Sequence, residues 1–300
     1  MMVKKPAPSA SSLTILSSSD VDSVLSSLDP ELALASQSSV FTSFSRPPPP
    51  VCLAKSEVPE IQIPHRLTVL SPEMTMLFMP SRAGEAGGTG CKIVSVPSAG
   101  GEGLPASTLV MDEKTGKVRA VINARKLTAL RNASGVGVST YPQPSSDDTP
   151  SDLSINLSQA VHNANIILTL TSAKEPLFNS VDVTSGTHVV CVGSYKPEMR
   201  EVDEQLIRRA GLVVVDSKAA CAGEAGELIA ANVGAEGMVE LGELLAGGAV
   251  GQQAVERVQH SGDINLFKSV GLGIQDVAIA DLVLREAERL GLGTVVPEYD

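Results

Sequence analysis

The sequence predicts an α/β protein in two parts, a mostly antiparallel sheet followed by a truncated parallel sheet with crossover helices. Three observations carry this reading. Short alternating or apolar runs joined by turns fill residues 66–122, and continuous apolar runs separated by helical segments fill the chain after residue 157. The interval between them holds Pro, Ser and Asp where a further strand and helix are needed to complete a doubly wound sheet.

Taken in order, residues 1–12 form a Ser/Ala/Pro-rich tail expected to be disordered. Residues 13–16 read as a short strand, and 17–25 as a helix opened by a Ser or Asp cap. Pro47, Pro48, Pro49 and Pro50 cannot join a sheet interior and read as a stiff surface connection. Strands are expected at 75–79, 91–96, 107–111 and 117–122, with 112–116 as a hairpin turn ending in Gly116. Residues 124–133 have helical composition. Beyond the interval, 166–170, 189–192 and 212–215 read as strands buried on both faces. Helical segments at 157–164 and 203–210, the latter stopped by Gly211, and a turn at 181–185 separate them. Residues 276–290 place Val277, Ala280, Leu284, Ala287 and Leu290 on one helical face that ends at Gly291.

Composition limits the function classes. With 300 residues and 43% hydrophobic content the chain can bury a large core. A formal charge of -11, with only Lys4 and Lys5 as a local basic excess, excludes non-specific binding to nucleic acid or acidic membranes, which needs a positive patch. No apolar run approaches the roughly 20 residues of a membrane span, and the N-terminus has no apolar core of signal-peptide type. Cys52, Cys91, Cys191 and Cys221 form no C-x-x-C pair and read as small core residues in a reducing, cytoplasmic setting.

A set of segments carries a resemblance. They are Pro64-His65-Arg66, Cys91-Lys92-Ile93-Val94-Ser95-Val96, Thr128-Ala129-Leu130-Arg131-Asn132-Ala133, Thr169-Leu170-Thr171, Val192-Gly193-Ser194-Tyr195 and Phe267-Lys268-Ser269-Val270-Gly271. In this order they resemble the ornithine cyclodeaminase/mu-crystallin family of NAD(P)-dependent imine-handling enzymes. The resemblance implies a homodimer whose protomer has a substrate-binding and dimerisation domain, 13–134 with 272–300, and a Rossmann-like NAD(P) domain, 135–271, here truncated. It also implies a small imino-acid or amino-acid substrate and NAD or NADP as cofactor, with hydride passing to the carbon of a C=N bond. A cationic anchor must fix the substrate carboxylate, and Arg66, Lys92 and Arg131 match the family's positions for it. Lys92 is also the candidate catalytic group, because a protonated imine accepts hydride faster. Thr169, Thr171, Gly193, Ser194, Lys268 and Ser269 match positions near the cofactor. Cyclodeaminases carry a catalytic aspartate where this chain has Tyr195, so the pattern is closer to the ketimine-reductase branch than to the lyases.

The residues have simpler readings of their own. Arg66 at a strand start and Lys92 in an alternating strand suit solvent, Arg131 near a helix end suits the helix dipole, and Glu198 and Glu201 suit a solvated loop or a cap. Only residues 132–158 are available for a strand, a G-x-G-x-x-G/A turn, a helix and a second strand, a unit of roughly 30 residues or more. Gly135-Val136-Gly137-Val138-Ser139-Thr140 begins such a turn but lacks a preceding strand and a third small residue. It reads as a helix end running into an irregular connection over 135–157. Loss of the unit weighs against NAD or NADP binding and leaves 166–170 as an exposed apolar edge. The expected activity is NAD(P)H-dependent reduction of a cyclic ketimine such as pyrroline- or piperideine-2-carboxylate. An ornithine cyclodeaminase-type lyase and a catalytically inactive, dimerising or ligand-binding family member are the alternatives.

Overall fold

A computed structural model of the chain describes residues 12–46, 58–98, 104–140 and 156–299. The expected tail at 1–11, the proline run from Pro47 and the stretch 141–155 lie outside the described residues. The chain divides into two compact units: residues 1–43, 47–135 and 272–300 form the first, and 44–46 with 136–271 the second.

In the first unit the chain runs through β1 (Leu13–Leu16), α1 (Ser18–Leu25), α2 (Pro30–Phe44), β2 (Ile61–Gln62), β3 (Leu67–Leu70), β4 (Met74–Ala83), β5 (Thr89–Pro97), β6 (Ala106–Met111), β7 (Val118–Asn123) and α3 (Leu127–Thr140). Ser17 caps α1 in a reciprocal box with Asp20, as its short polar side chain predicts. The hairpin between β6 and β7 closes through the Asp112 backbone, and Gly116 supplies the positive φ of 73° that its turn requires. The helix α2 was not anticipated: its Ser-rich sequence has little amphipathic signal, and it is held by burial of Ala33, Val40 and Phe41.

The chain then enters the second unit through α4 (Leu157–Asn163), β8 (Ile166–Thr169), β9 (His188–Cys191), α5 (Glu204–Ala210), β10 (Val213–Val215), α6 (Lys218–Glu224), α7 (Gly226–Ala230), β11 (Met238–Glu240), α8 (Leu241–Leu245), α9 (Gly248–Gln259) and β12 (Asn265–Lys268). It returns to the first unit with α10 (Gly273–Leu290) and β13 (Thr294–Val296).

The first unit's sheet has the order β13-β1-β7-β6-β5-β4-β2, with β3 also on β4. All of its pairs are antiparallel except β1 with β7. The helix α10 packs against β4, β5 and β6. Gly90 allows that approach, since a Cβ there would lie 2.6 Å from the Leu109 carbonyl oxygen and 3.2 Å from Val277. The core beside it joins Ala280, Val283 and Leu284 of α10 to Leu16, Val24 and Ile122.

The second unit holds a five-stranded, all-parallel sheet of order β11-β10-β12-β9-β8. Its continuous apolar strands are buried, with Val189, Val213, Val215 and Leu266 almost wholly inaccessible. The edge strand β8 departs from this pattern. Ile166, Leu168 and Leu170 are 44%, 45% and 54% exposed, so one face of β8 has no cover among the described residues. Among the described residues β8 stands at the edge of this sheet, and an unpaired apolar edge invites pairing.

One expectation is overturned. Residues 135–140 are not irregular but continue α3, which runs through Gly135 and Gly137 to Thr140. Gly135 is buried there, and a Cβ on it would meet Gln275 at 3.4 Å and Phe41 at 3.9 Å, so packing outweighs the low helix propensity of glycine.

Candidate functional site

The first unit gathers three of its charged side chains into a buried cluster. Lys92 points from β5 onto the face covered by α10, and its ammonium donates to Asp276 Oδ1 at 2.8 Å and to Thr128 Oγ1 at 2.6 Å. Both charged partners are nearly inaccessible, with side-chain exposures of 4% and 2%. Arg131 and Thr128 stand three residues apart on α3 and so share a helical face. Arg131 Nε lies 3.5 Å from the same Asp276 oxygen. Asp276 sits in the first turn of α10, where the helix dipole favours a carboxylate.

Lys92 is therefore not the solvent-facing lysine that strand alternation suggests, because β5 turns that face toward α10. Nor does Arg131 serve a helix end, since α3 extends to Thr140. Burial lowers the Lys92 pKa below its ordinary 10.5; Asp276 opposes that shift and Arg131 adds to it. The cluster leaves polar atoms unused. Among the described residues Arg131 Nε and Nη1, Asp276 Oδ2 and Thr108 Oγ1 are buried without hydrogen-bond partners, an arrangement that costs about 1–3 kcal/mol per group unless something else satisfies them.

Arg66 is half-buried and immediately precedes β3. Leu67 pairs with Phe78, and Met79 pairs with Lys92. Continued by one residue, this register puts Arg66 level with Met79, on the cross-strand row of Lys92 and Thr108 and about 10 Å from Lys92 across two strand spacings. The fold thus brings Lys92 and Arg131 onto one carboxylate and sets Arg66 two strands away.

In the second unit the carboxylate of Glu201 holds the ends of β8 and β9 together. It accepts from Thr171 N at 2.6 Å, Thr171 Oγ1 at 2.9 Å and Gly193 N at 2.7 Å, and the residue is wholly buried. The reading of Glu201 as a solvated or capping acid is corrected: its partners come from two strand ends that only the folded sheet makes adjacent. Glu198 is exposed. A side chain at Gly193 would collide with the Thr171 backbone and with Glu201, which is why glycine is required there.

The other positions matched to a cofactor are tied inward. Thr169 Oγ1 reaches Val190 O at 3.5 Å, and Ser194 Oγ donates to Met199 O at 2.9 Å while accepting from Gly226 N at 3.2 Å. Ser269 Oγ donates to Asp216 Oδ2 at 2.7 Å, and that oxygen also accepts from Val270 N and Gly271 N. Lys268 Nζ lies 3.0 Å from Glu227 Oε1, with both side chains fully buried. Of these six positions, Thr171 is exposed and Gly193 partly so, while the other four are buried. Tyr195, in place of the lyases' aspartate, packs against the unit's core with Lys196 Nζ 5.6 Å from its ring centroid.

The residues present do not fit a dinucleotide's pyrophosphate. That group needs a glycine turn leading into a helix N-terminus after a strand. Among the described residues α3 runs to Thr140 and α4 begins at Leu157, and the sequence between them contains no glycine.

Comparison with known proteins bears on both units. The family model for the ornithine cyclodeaminase/mu-crystallin family matches residues 150–290. Over 149 residues the chain is 34% identical to the Delta(1)-pyrroline-2-carboxylate reductase of Bacillus cereus, covering 48% of this chain and 44% of that protein. Over 128 residues it is 34% identical to the ketimine reductase mu-crystallin of Mus musculus, covering 43% and 37%. The match thus spans less than half the length of these curated relatives. In fold the chain is similar to the Delta(1)-pyrroline-2-carboxylate reductase of Thermococcus litoralis, solved in complex with NADH and L-proline. The TM-score is 0.75 at 22% identity, over 94% of this chain and 99% of that one. Over residues 150–290, a little under half of the chain, the sequence is thus similar to the ornithine cyclodeaminase/mu-crystallin family.

Proposed function

We propose that this protein follows the plan of an imino-acid reductase, with its substrate end intact and its cofactor end truncated. It takes a small cyclic ketimine acid, such as pyrroline- or piperideine-2-carboxylate, at Lys92, Arg131 and Asp276. One observation carries the reading: two cations and one carboxylate are buried together with polar atoms of Arg131 and Asp276 unused. The excess positive charge and the unused donors suit the carboxylate of an imino acid. Lys92 is the group that relays a proton toward the imine nitrogen, since a protonated imine accepts hydride faster. NAD(P)H supplies the hydride in reductases of this kind. With no glycine turn to hold the pyrophosphate, the chain binds NAD(P)H weakly and reduces imines slowly or not at all. The lyase reading is disfavoured because Tyr195 offers no carboxylate and both oxygens of Glu201 are engaged.

The test is a fluorescence titration with NADH and NADPH beside an assay of pyrroline-2-carboxylate reduction. It compares the chain with a version carrying a strand, G-x-G-x-x-A turn, helix and strand between residues 140 and 157. The expected result is weak binding by the chain and recovery by the extended version. Tight binding with turnover by the unmodified chain overturns the truncated-cofactor reading.

A further inference from the structure

The hydrogen-bonding capacity left in the buried cluster defines what it recognises more narrowly than a carboxylate. The Lys92 ammonium has three protons, of which two are committed to Thr128 and Asp276, leaving one. Among the described residues Arg131 Nε and Nη1 are further buried donors without a hydrogen-bond partner, and Asp276 Oδ2 is a buried acceptor without one. The formal charges of Lys92, Arg131 and Asp276 sum to a single positive charge, which one carboxylate neutralises. The unused donors of Lys92 and Arg131 suit the oxygens of that carboxylate. The unused Asp276 oxygen requires something else: a hydrogen-bond donor on the same ligand.

We propose that Asp276 is a specificity-determining residue that accepts a hydrogen bond from the nitrogen next to the ligand's carboxylate, so that the cluster selects N–H-bearing imino and amino acids over 2-oxo acids and oxygen-ring acids. This inference rests on the imino-acid reading above and names the group that reads the nitrogen. A ligand with only acceptors beside its carboxylate would set a lone pair against the buried Asp276 oxygen and leave that oxygen unsatisfied. Sites built to hydrogen-bond a polar ligand group discriminate strongly against analogues that lack it. The ion pair with Lys92 fixes the carboxylate plane through Oδ1, so Oδ2 is held in place to do this.

Two planar acids of nearly the same shape separate the possibilities by calorimetry on the full chain. Pyrrole-2-carboxylate has an N–H beside its carboxylate, and furan-2-carboxylate has a ring oxygen there. The pyrrole acid is expected to bind at least about tenfold more tightly. In Asp276→Asn, whose amide can present either a donor or an acceptor, that ratio is expected to shrink toward unity. Equal affinity of the two acids for the unmodified protein overturns the Asp276 assignment while leaving the carboxylate anchor standing. Binding of neither acid overturns both. An unchanged ratio in folded Asp276→Asn protein also overturns the assignment, and if that variant does not fold, the ratio in the unmodified protein decides alone.

Discussion

Lys92 and Asp276, 184 positions apart in the chain, meet in a 2.8 Å ion pair that is almost completely shielded from water. Burying two charges costs several kcal/mol per ion unless geometry and further hydrogen bonds compensate. Here Thr128 and Arg131 supply part of that compensation. On the function proposed above, the unused polar atoms beside this pair receive the charged ligand.

Removing Arg131 tests the anchor directly. Arg131→Ala is expected to weaken binding of pyrrole-2-carboxylate by about 1.5–3 kcal/mol, the scale of a hydrogen bond to a charged group. Arg66→Ala is expected to act in the same direction and less strongly, because Arg66 stands about 10 Å from Lys92 by the strand spacing. Calorimetry on both variants checks this, and unchanged affinity in both removes the carboxylate-anchor reading.

The same ligand should bind with a distinctive pH dependence. Burial places the Lys92 pKa below 10.5, so its positive charge is lost at lower pH than that of an ordinary lysine. Affinity for pyrrole-2-carboxylate is expected to fall as pH rises through that lowered pKa. Lys92→Arg, which stays protonated, should abolish this fall. Stability moves the opposite way. Between the lowered pKa and 10.5 the unfolded chain binds more protons than the folded one, so the Lys92 contribution to unfolding free energy rises with pH there. Denaturant titrations across this range measure that slope.

Glu201 is expected to govern the ends of β8 and β9. Glu201→Ala removes the acceptor for the amides of Thr171 and Gly193, and each lost hydrogen bond to a charged group costs about 1.5–3 kcal/mol. Glu201→Gln keeps one oxygen and should lose less. Chemical denaturation, with hydrogen exchange at the Thr171 and Gly193 amides, reads both effects; Glu201→Ala protein as stable as the original contradicts the assignment.

Lys268 and Glu227 allow a contrast between packing and ligand contact. Glu227→Ala leaves the Lys268 charge buried and unpaired and is expected to cost about 3–5 kcal/mol. The double replacement Lys268→Met with Glu227→Leu should cost much less, since it removes both charges at similar volume. A double variant as unstable as the single one would show that the pair does more than satisfy itself.

What was legible in the chain follows the range of the forces involved. The strands β1, β5, β6, β7, β8 and β9 and the helices α1, α5 and α10 were readable because alternation, apolar runs and caps act over a few residues. α2 is illegible because its Ser-rich turns carry little periodic signal, and α6 to α8 because they are short segments set by packing. The resemblance pointed to Lys92 and Arg131, and sequence alone showed that the glycine turn is absent. Asp276 and Glu201 could not be assigned that way. A carboxylate's role is set by the donors that surround it, and theirs come from β5 and α3 in one case and from two parallel strand ends in the other. Tertiary structure made those donors neighbours, excluded water from them, and so decided which charged residues of an acidic chain are buried together.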